Sequence, residues 1–202
     1  MIDKLLVATS NQGKVAEFAD MMRDLQLEWL GLKDIGVTMD VVENGRTFRD
    51  NAILKARAYA RETGLFTLAD DSGLEVDALA GAPGVHTARY GGEGLTHAER
   101  YQLLLQYMAG VVEAERTARF CCVIVFAAPD GMILGEAEGV CEGRIAERPL
   151  GNKGFGYDPV FFLPQFGRTM AQLESEVKHK ISHRGQAVHQ IAPLLRQVLD
   201  NT

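Results

Sequence analysis

The 202-residue chain is 47% hydrophobic and 24% charged, which suits one soluble globular core, and no apolar run is long enough to span a membrane. A formal net charge of -6 argues against broad binding to a nucleic-acid backbone but leaves room for a small anion held by a few lysines. Three cysteines, Cys121, Cys122 and Cys141, form neither a disulfide framework nor a zinc set, and with no signal-peptide pattern at Met1-Ile2-Asp3-Lys4 they point to a reducing cytoplasm. Cys121 and Cys122 read as small buried fillers inside an apolar run.

In chain order, Leu5 to Ala8 read as a first strand, followed by the polar turn Thr9-Ser10-Asn11-Gln12-Gly13-Lys14. Val15, Phe18, Met22 and Leu25 then recur at helical spacing, so a helix begins near Gln12 to Lys14. A strand, a short polar turn and a helix N-terminus together form an anion site, to which Lys14 adds a full charge. The P-loop pattern is absent. Trp29 to Leu32 suggest a second strand, and Asn44-Gly45 marks a turn behind Glu43, a metal ligand or a plain loop acid. Thr47 and Asp50 have capping-box spacing, predicting a helix from Phe48 to Glu62 that Gly64 ends. Asn51 and Lys55 share one face of it.

The apolar run Leu65 to Ala69 reads as a buried strand that stops at Asp70-Asp71-Ser72, with Gly73 turning the backbone. Two acids at a strand's carboxyl end suit a ligand site, one holding a metal while the other orients or deprotonates a water. A solvated turn is the plain alternative. Gly81-Ala82-Pro83-Gly84 is a rigid turn and Val85 to Gly92 a loop. Thr96 and Glu99 predict a second capped helix, with Tyr101, Leu104, Leu105 and Met108 inward. Phe120 to Ala128 is a central strand, and Pro129-Asp130-Gly131 turns it into a glycine-interrupted strand from Met132 to Ile145, so the sheet is mixed.

Glycines around Phe155 in Gly151 to Phe161 allow either stacking on a base or packing into the core. Thr169 and Gln172 predict a short helix through Glu176. Ser182 caps a last helix, which Pro193 kinks or splits. His179 and His183 have metal-ligand spacing but no third ligand nearby; Lys178, His183 and Arg184 form a cluster of donors instead.

Seven stretches in order resemble the inosine triphosphate pyrophosphatase family: Ala8 to Lys14, Glu43 to Phe48, Asn51 to Ala56, Ala69 to Leu74, Pro83 to Tyr90, Gly154 to Pro159 and Ser182 to Arg184. His86-Thr87 and His179 are small departures from the family's usual residues. The resemblance implies one domain over residues 1–202, an elongated mixed α/β sheet flanked by helices, with two lobes and a central cleft. It implies a homodimer that uses Mg²⁺ to hydrolyse deaminated purine nucleoside triphosphates such as ITP, dITP and XTP to the monophosphate and pyrophosphate; the acidic charge and the lack of a long apolar run argue for no nucleic-acid or membrane partner. On this sequence it assigns Thr9, Ser10, Asn11, Gln12, Gly13 and Lys14 to the triphosphate, and Lys55 to phosphate. It assigns Glu43 and Asp71 to Mg²⁺, Asp71 to the general base with Asp70 beside it, and Ser72 to the ligand. It gives Phe155, Gly156, Tyr157 and Asp158 to the base and sugar pocket, and Lys178, His183 and Arg184 to the purine. A non-catalytic nucleotide sensor and an RNA-directed protein of the same fold are the rival readings.

Overall fold

The computed structural model describes residues 3–200; Met1 and Ile2, at the start of the N-terminal reading, lie outside the described residues. Seven strands form one mixed sheet in the order β2-β1-β3-β4-β5-β6-β7, flanked by helices. The strands are β1 Lys4–Val7, β2 Glu28–Gly31, β3 Thr67–Val76, β4 Thr117–Ala127, β5 Ile133–Ile145, β6 Phe161–Leu163 and β7 Arg168–Thr169. The helices are α1 Gln12–Met21, α2 Phe48–Thr63, α3 His97–Tyr107, α4 Ser175–Ile181 and α5 His183–Asp200. The chain divides into two compact units, residues 1–71, 122–139 and 184–202 in the first, and 72–121 and 140–183 in the second.

In the first unit β1 pairs in parallel with β2 and β3, placing Leu6 opposite Leu30 and Val7 opposite Leu68. Leu5, Val7 and Leu68 meet Phe18 and Met22 from α1 and its C-cap, Ile124 and Phe126 from β4, and Ile191 and Leu195 from α5. Side chains alternate across a strand, so this core takes one face of the sheet. The two neighbouring helices begin as the sequence predicts. Asn11 caps α1 by accepting from the Gly13 N–H at 2.9 Å. Thr47 caps α2 by accepting from the Asp50 N–H at 3.1 Å, and Gly64, at φ 67°, ends it.

In the second unit β5, β6 and β7 pair antiparallel, with Ile145 opposite Phe161 and Phe162 opposite Thr169. Leu74, Leu104, Met108, Val160 and Leu163 build its core, and the Phe120 and Phe161 rings lie 4.4 Å apart. The predicted capping box of α3 is complete, Thr96 and Glu99 each satisfying the other's backbone N–H. Arg116, just before β4, is buried, and its guanidinium donates to the carbonyls of Met108, Val111, Ile145 and Ala146. It supplies the carbonyls at the end of α3 with donors and ties them to the end of β5. Arg116→Ala should therefore lower the stability to urea by roughly 2–4 kcal/mol, because buried acceptors left unsatisfied are costly.

Four sequence readings of secondary structure need correction. The strand through Asp70 and Asp71 does not stop there: β3 runs on through Ser72 and Gly73 to Val76, because Leu74 and Val76 supply further buried side chains. The Val85 to Gly92 loop contains a 3-10 helix, Gly84–Arg89, whose Thr87 hydroxyl donates to the Gly84 carbonyl at 2.6 Å. Thr169 and Gln172 cap only one 3-10 turn, Met170–Gln172; Leu173 is extended, and α4 is a separate helix from Ser175. Pro193 does not split the last helix, which is continuous from His183 to Asp200. Its buried residues Ala187, Val188, Ile191 and Leu195 on the core side outweigh one lost backbone hydrogen bond.

Candidate active site

Because β3 continues, Asp70 and Asp71 are successive strand residues whose side chains leave on opposite faces. That difference gives each acid its own helix partners. Asp70, toward α1 and α5, meets Lys14 Nζ at 2.9 Å and Arg184 Nη2 at 2.9 Å. Arg184 Nη1 also donates to Glu17 Oε2 at 2.6 Å, one turn beyond Lys14 on α1. Asp71, toward α2, accepts from Lys55 Nζ at 3.0 Å, and the same ammonium lies 3.2 Å from Glu43 Oε1 in the preceding loop. Asn51, one helical turn before Lys55, donates to the other Asp71 oxygen at 3.2 Å. Lys14, Glu43, Lys55 and Asp71 thus collect around two adjacent residues of β3, all within the first unit.

The two acids experience opposite electrostatics. Burial alone would raise the Asp70 carboxyl, but the charges of Lys14, Arg184 and Lys55 outweigh it and hold it well below the ordinary carboxylate range. Asp71 is raised, mainly by burial, with the Glu43 charge adding to it and Lys55 only partly compensating. Burial would lower the Lys55 ammonium, yet Asp71, Glu43 and Asp70 together push it up, so it stays charged. Asp70 is a locked anion, whereas Asp71 has greater proton affinity than a free carboxylate. That is the property wanted in a carboxylate that takes a proton from water. The thiols take no part. Cys122 and Cys141 are buried and Cys121, against expectation, only partly so; burial pushes Cys121 and Cys122 up to about 12 and Cys141 to about 11.

Ser10, in the turn before α1, and Gln12 and Gly13, which begin the helix, are exposed, and Asn11 donates its N–H to Thr9 Oγ1 at 3.1 Å. Among the described residues no three His, Cys, Asp or Glu side chains form a metal-binding group. Mg²⁺ does not need three: one or two carboxylates with water and phosphate oxygens suffice, and Glu43 and Asp71 present hard oxygens to one shared cation, Lys55. The donor set fits that ion.

In the second unit, Gly154 at φ 74° bends the chain so closely over Asp158 that a Cβ there would meet Asp158 Oδ2 at 2.0 Å. Asp158 Oδ2 accepts from the Phe155 N–H at 3.0 Å and from Lys178 Nζ at 2.9 Å. The Lys178 ammonium lies 5.0 Å from the centre of the Phe155 ring, within cation–π range. Phe155 and Gly156 are partly exposed; Tyr157 is buried and donates its hydroxyl to the Thr87 carbonyl at 3.2 Å. His183 stacks on Phe120 with centroids 4.8 Å apart. Ser72 is half-buried on β3.

Sequence reasoning missed Glu17 and gave Asn51 no task. Glu17 follows Lys14 by one helical turn, which was the available signal. The Arg184 side chain, read from sequence as a purine donor, spends bonds from both terminal nitrogens on Glu17 and Asp70.

The Ham1 family profile matches residues 5–194. The chain is 46% identical over 198 residues to the dITP/XTP pyrophosphatase of Vibrio vulnificus strain YJ016, covering 96% of this chain and 97% of that protein. It is 46% identical over 195 residues to the dITP/XTP pyrophosphatase of Desulforamulus reducens, with 96% of each covered. Among solved structures it resembles a HAM1 protein from Coxiella burnetii with a TM-score of 0.86 and 42% identity, covering 97% of this chain and all (100%) of that one. The Ham1 protein of Staphylococcus aureus gives a TM-score of 0.83 at 38% identity, covering 96% of this chain and 99% of that one. A family match spanning nearly the whole sequence, and relatives this similar end to end, place the chain in the Ham1 family.

Proposed function

We propose that this chain hydrolyses deaminated purine nucleoside triphosphates, dITP, ITP and XTP, to the nucleoside monophosphate and pyrophosphate. The observation that carries the reading is the gathering of Lys14, Lys55, Glu43 and Arg184 around the adjacent Asp70 and Asp71. The names of the relatives supply the substrate class.

Lys14 and the positive end of α1 take the triphosphate, whose roughly four negative charges need local neutralisation on an acidic protein. Asp70 and Glu17 are ion-paired to Arg184, so the α1 end keeps its shape while Lys14 is drawn toward phosphate. Asp71 accepts a proton from the water that attacks the α-phosphorus; the bond to the bridging oxygen breaks and pyrophosphate leaves. Lys55 offsets the charge growing on that leaving group. Glu43 and Asp71 would hold Mg²⁺, which when bound supplies further charge neutralisation to the phosphate oxygens. Phe155 stacks on the purine, with Gly156, Tyr157 and Asp158 lining the base and sugar, and Lys178 and His183 donate to the purine 6-oxygen. Adenine presents donors at that position, so the same groups would face it unpaired at about 1–3 kcal/mol each. The assignment of these base-side residues rests on the sequence match to the family.

Wild-type protein with dITP and Mg²⁺ should release pyrophosphate and not orthophosphate, and chelation of the metal should stop it. A nucleotide-binding sensor would bind dITP and release neither. Phe155→Ala should raise KM for dITP by about tenfold to a hundredfold, matching the loss of one stacked base, with the smaller change in kcat. On the same reading the enzyme acts in the cytoplasm as a homodimer, a mass that light scattering would give directly.

A further inference from the structure

Asn51 is a fully buried polar side chain in the first turn of α2. Its Nδ2 donates to Asp71 Oδ2 at 3.2 Å, and its Oδ1 accepts from the Gly45 N–H at 2.8 Å. Gly45 lies two residues after Glu43 in the loop before α2. One amide therefore joins the turn that carries Glu43 to the carboxylate of Asp71. One turn further along the helix, Lys55 joins the same two acids through its charge.

We propose that Asn51 is a positioning residue that sets Asp71 against Glu43 by bridging the Gly45 turn to the Asp71 carboxylate. The proposal rests on the pyrophosphatase reading above. The site needs a donor at one end of the bridge and an acceptor at the other, without charge. A carboxamide offers both in one plane on a short side chain. A carboxylate there would add negative charge beside Asp70, Asp71 and Glu43 and lose the donor. Reversing the amide would set Nδ2 against the Gly45 N–H and Oδ1 against Asp71, so the network fixes its orientation. The turn is built to the same fit: a Cβ on Gly45 would lie 2.6 Å from Asn51 Oδ1 and 2.6 Å from Asp50 Cβ. Asn51 thus leaves one Asp71 oxygen to Lys55, holds the other, and limits how far the Glu43 loop can move away.

The test compares wild type, Asn51→Leu, Gly45→Ala and the double variant. Asn51→Leu keeps the volume and removes both arms; Gly45→Ala loads the same joint from the other side. Each single variant should lower kcat for dITP by about tenfold to a hundredfold, the size expected for misplaced catalytic groups, with KM within about threefold. Mg²⁺ titrated by calorimetry without nucleotide should bind more weakly in both. The double variant should fall no more than about twofold below the worse single one, since both break one joint. A folded Asn51→Leu with kcat and Mg²⁺ affinity within twofold of wild type overturns the proposal, as do losses that multiply in the double variant. If Asn51→Leu does not fold, Gly45→Ala decides by the same two readouts. If wild type releases no pyrophosphate, the functional reading falls, and the Mg²⁺ comparison alone still decides whether Asn51 sets the pair.

Discussion

Asp71→Asn is expected to lower kcat for dITP by about 10²–10⁴-fold, the range set by loss of a general base, without lowering the melting temperature. The two halves have one cause. The Asp71 carboxyl is raised in the folded protein by burial and by Glu43. A folded state that binds a proton more tightly than the unfolded chain is penalised once pH exceeds the ordinary carboxylate value. At neutral pH the ionised Asp71 therefore works against stability, and a neutral amide of the same shape relieves that cost. The side chain still fills its place, although its NH2 now faces a donor, Lys55 Nζ or Asn51 Nδ2, which offsets part of that relief, and it can no longer accept a proton. Catalysis gone and stability kept is the mark of a residue retained for chemistry. A loss of both together, measured by pyrophosphate release and calorimetric melting, would instead make Asp71 a structural acid.

Arg184→Met should do the reverse to stability, costing about 3–5 kcal/mol in urea unfolding at neutral pH, as expected when one partner of a buried charge network is removed. Arg184 is 2% exposed and bridges Glu17 and Asp70. Without it Asp70 keeps its ion pair with Lys14 but loses the buried guanidinium at 2.9 Å. The pH dependence has a definite sign. Asp70 is held below the ordinary carboxylate range, so its contribution is present above about pH 4 and is lost as pH falls toward its folded value. The gap between wild type and Arg184→Met should therefore be widest near neutrality and narrow as unfolding is repeated at increasingly acid pH. A gap that is constant from pH 7 to pH 3 would mean that Arg184 contributes packing and not charge.

Much of this was legible in the sequence because it is locally encoded. Thr47 and Thr96 announce their helices through side-chain caps, and Gly64 ends one through its left-handed φ. The antiparallel return after Pro129-Asp130-Gly131 follows from turn chemistry. The acids, lysines and Arg184 stood out as residue types in short matched stretches. What escaped was decided by tertiary contact. Whether β3 stops at Asp71 or runs to Val76 depends on the core that Leu74 and Val76 enter, and Gly73 does not show it. Pro193 breaks helices in isolation, but packing of Ile191 and Leu195 carries α5 through it. Arg184 reads equally well as a donor to a base or as a partner for a carboxylate until Glu17 and Asp70 are seen around it. Asn51 shows its value only when Gly45 and Asp71 meet its two ends.

The most direct test supplies wild-type protein and Mg²⁺ with dITP, XTP, dATP and GTP side by side and measures pyrophosphate. The account expects rapid release from dITP and XTP and values of kcat/KM lower by orders of magnitude for dATP and GTP. Equal turnover of all four, or binding of dITP with no pyrophosphate formed, would contradict it.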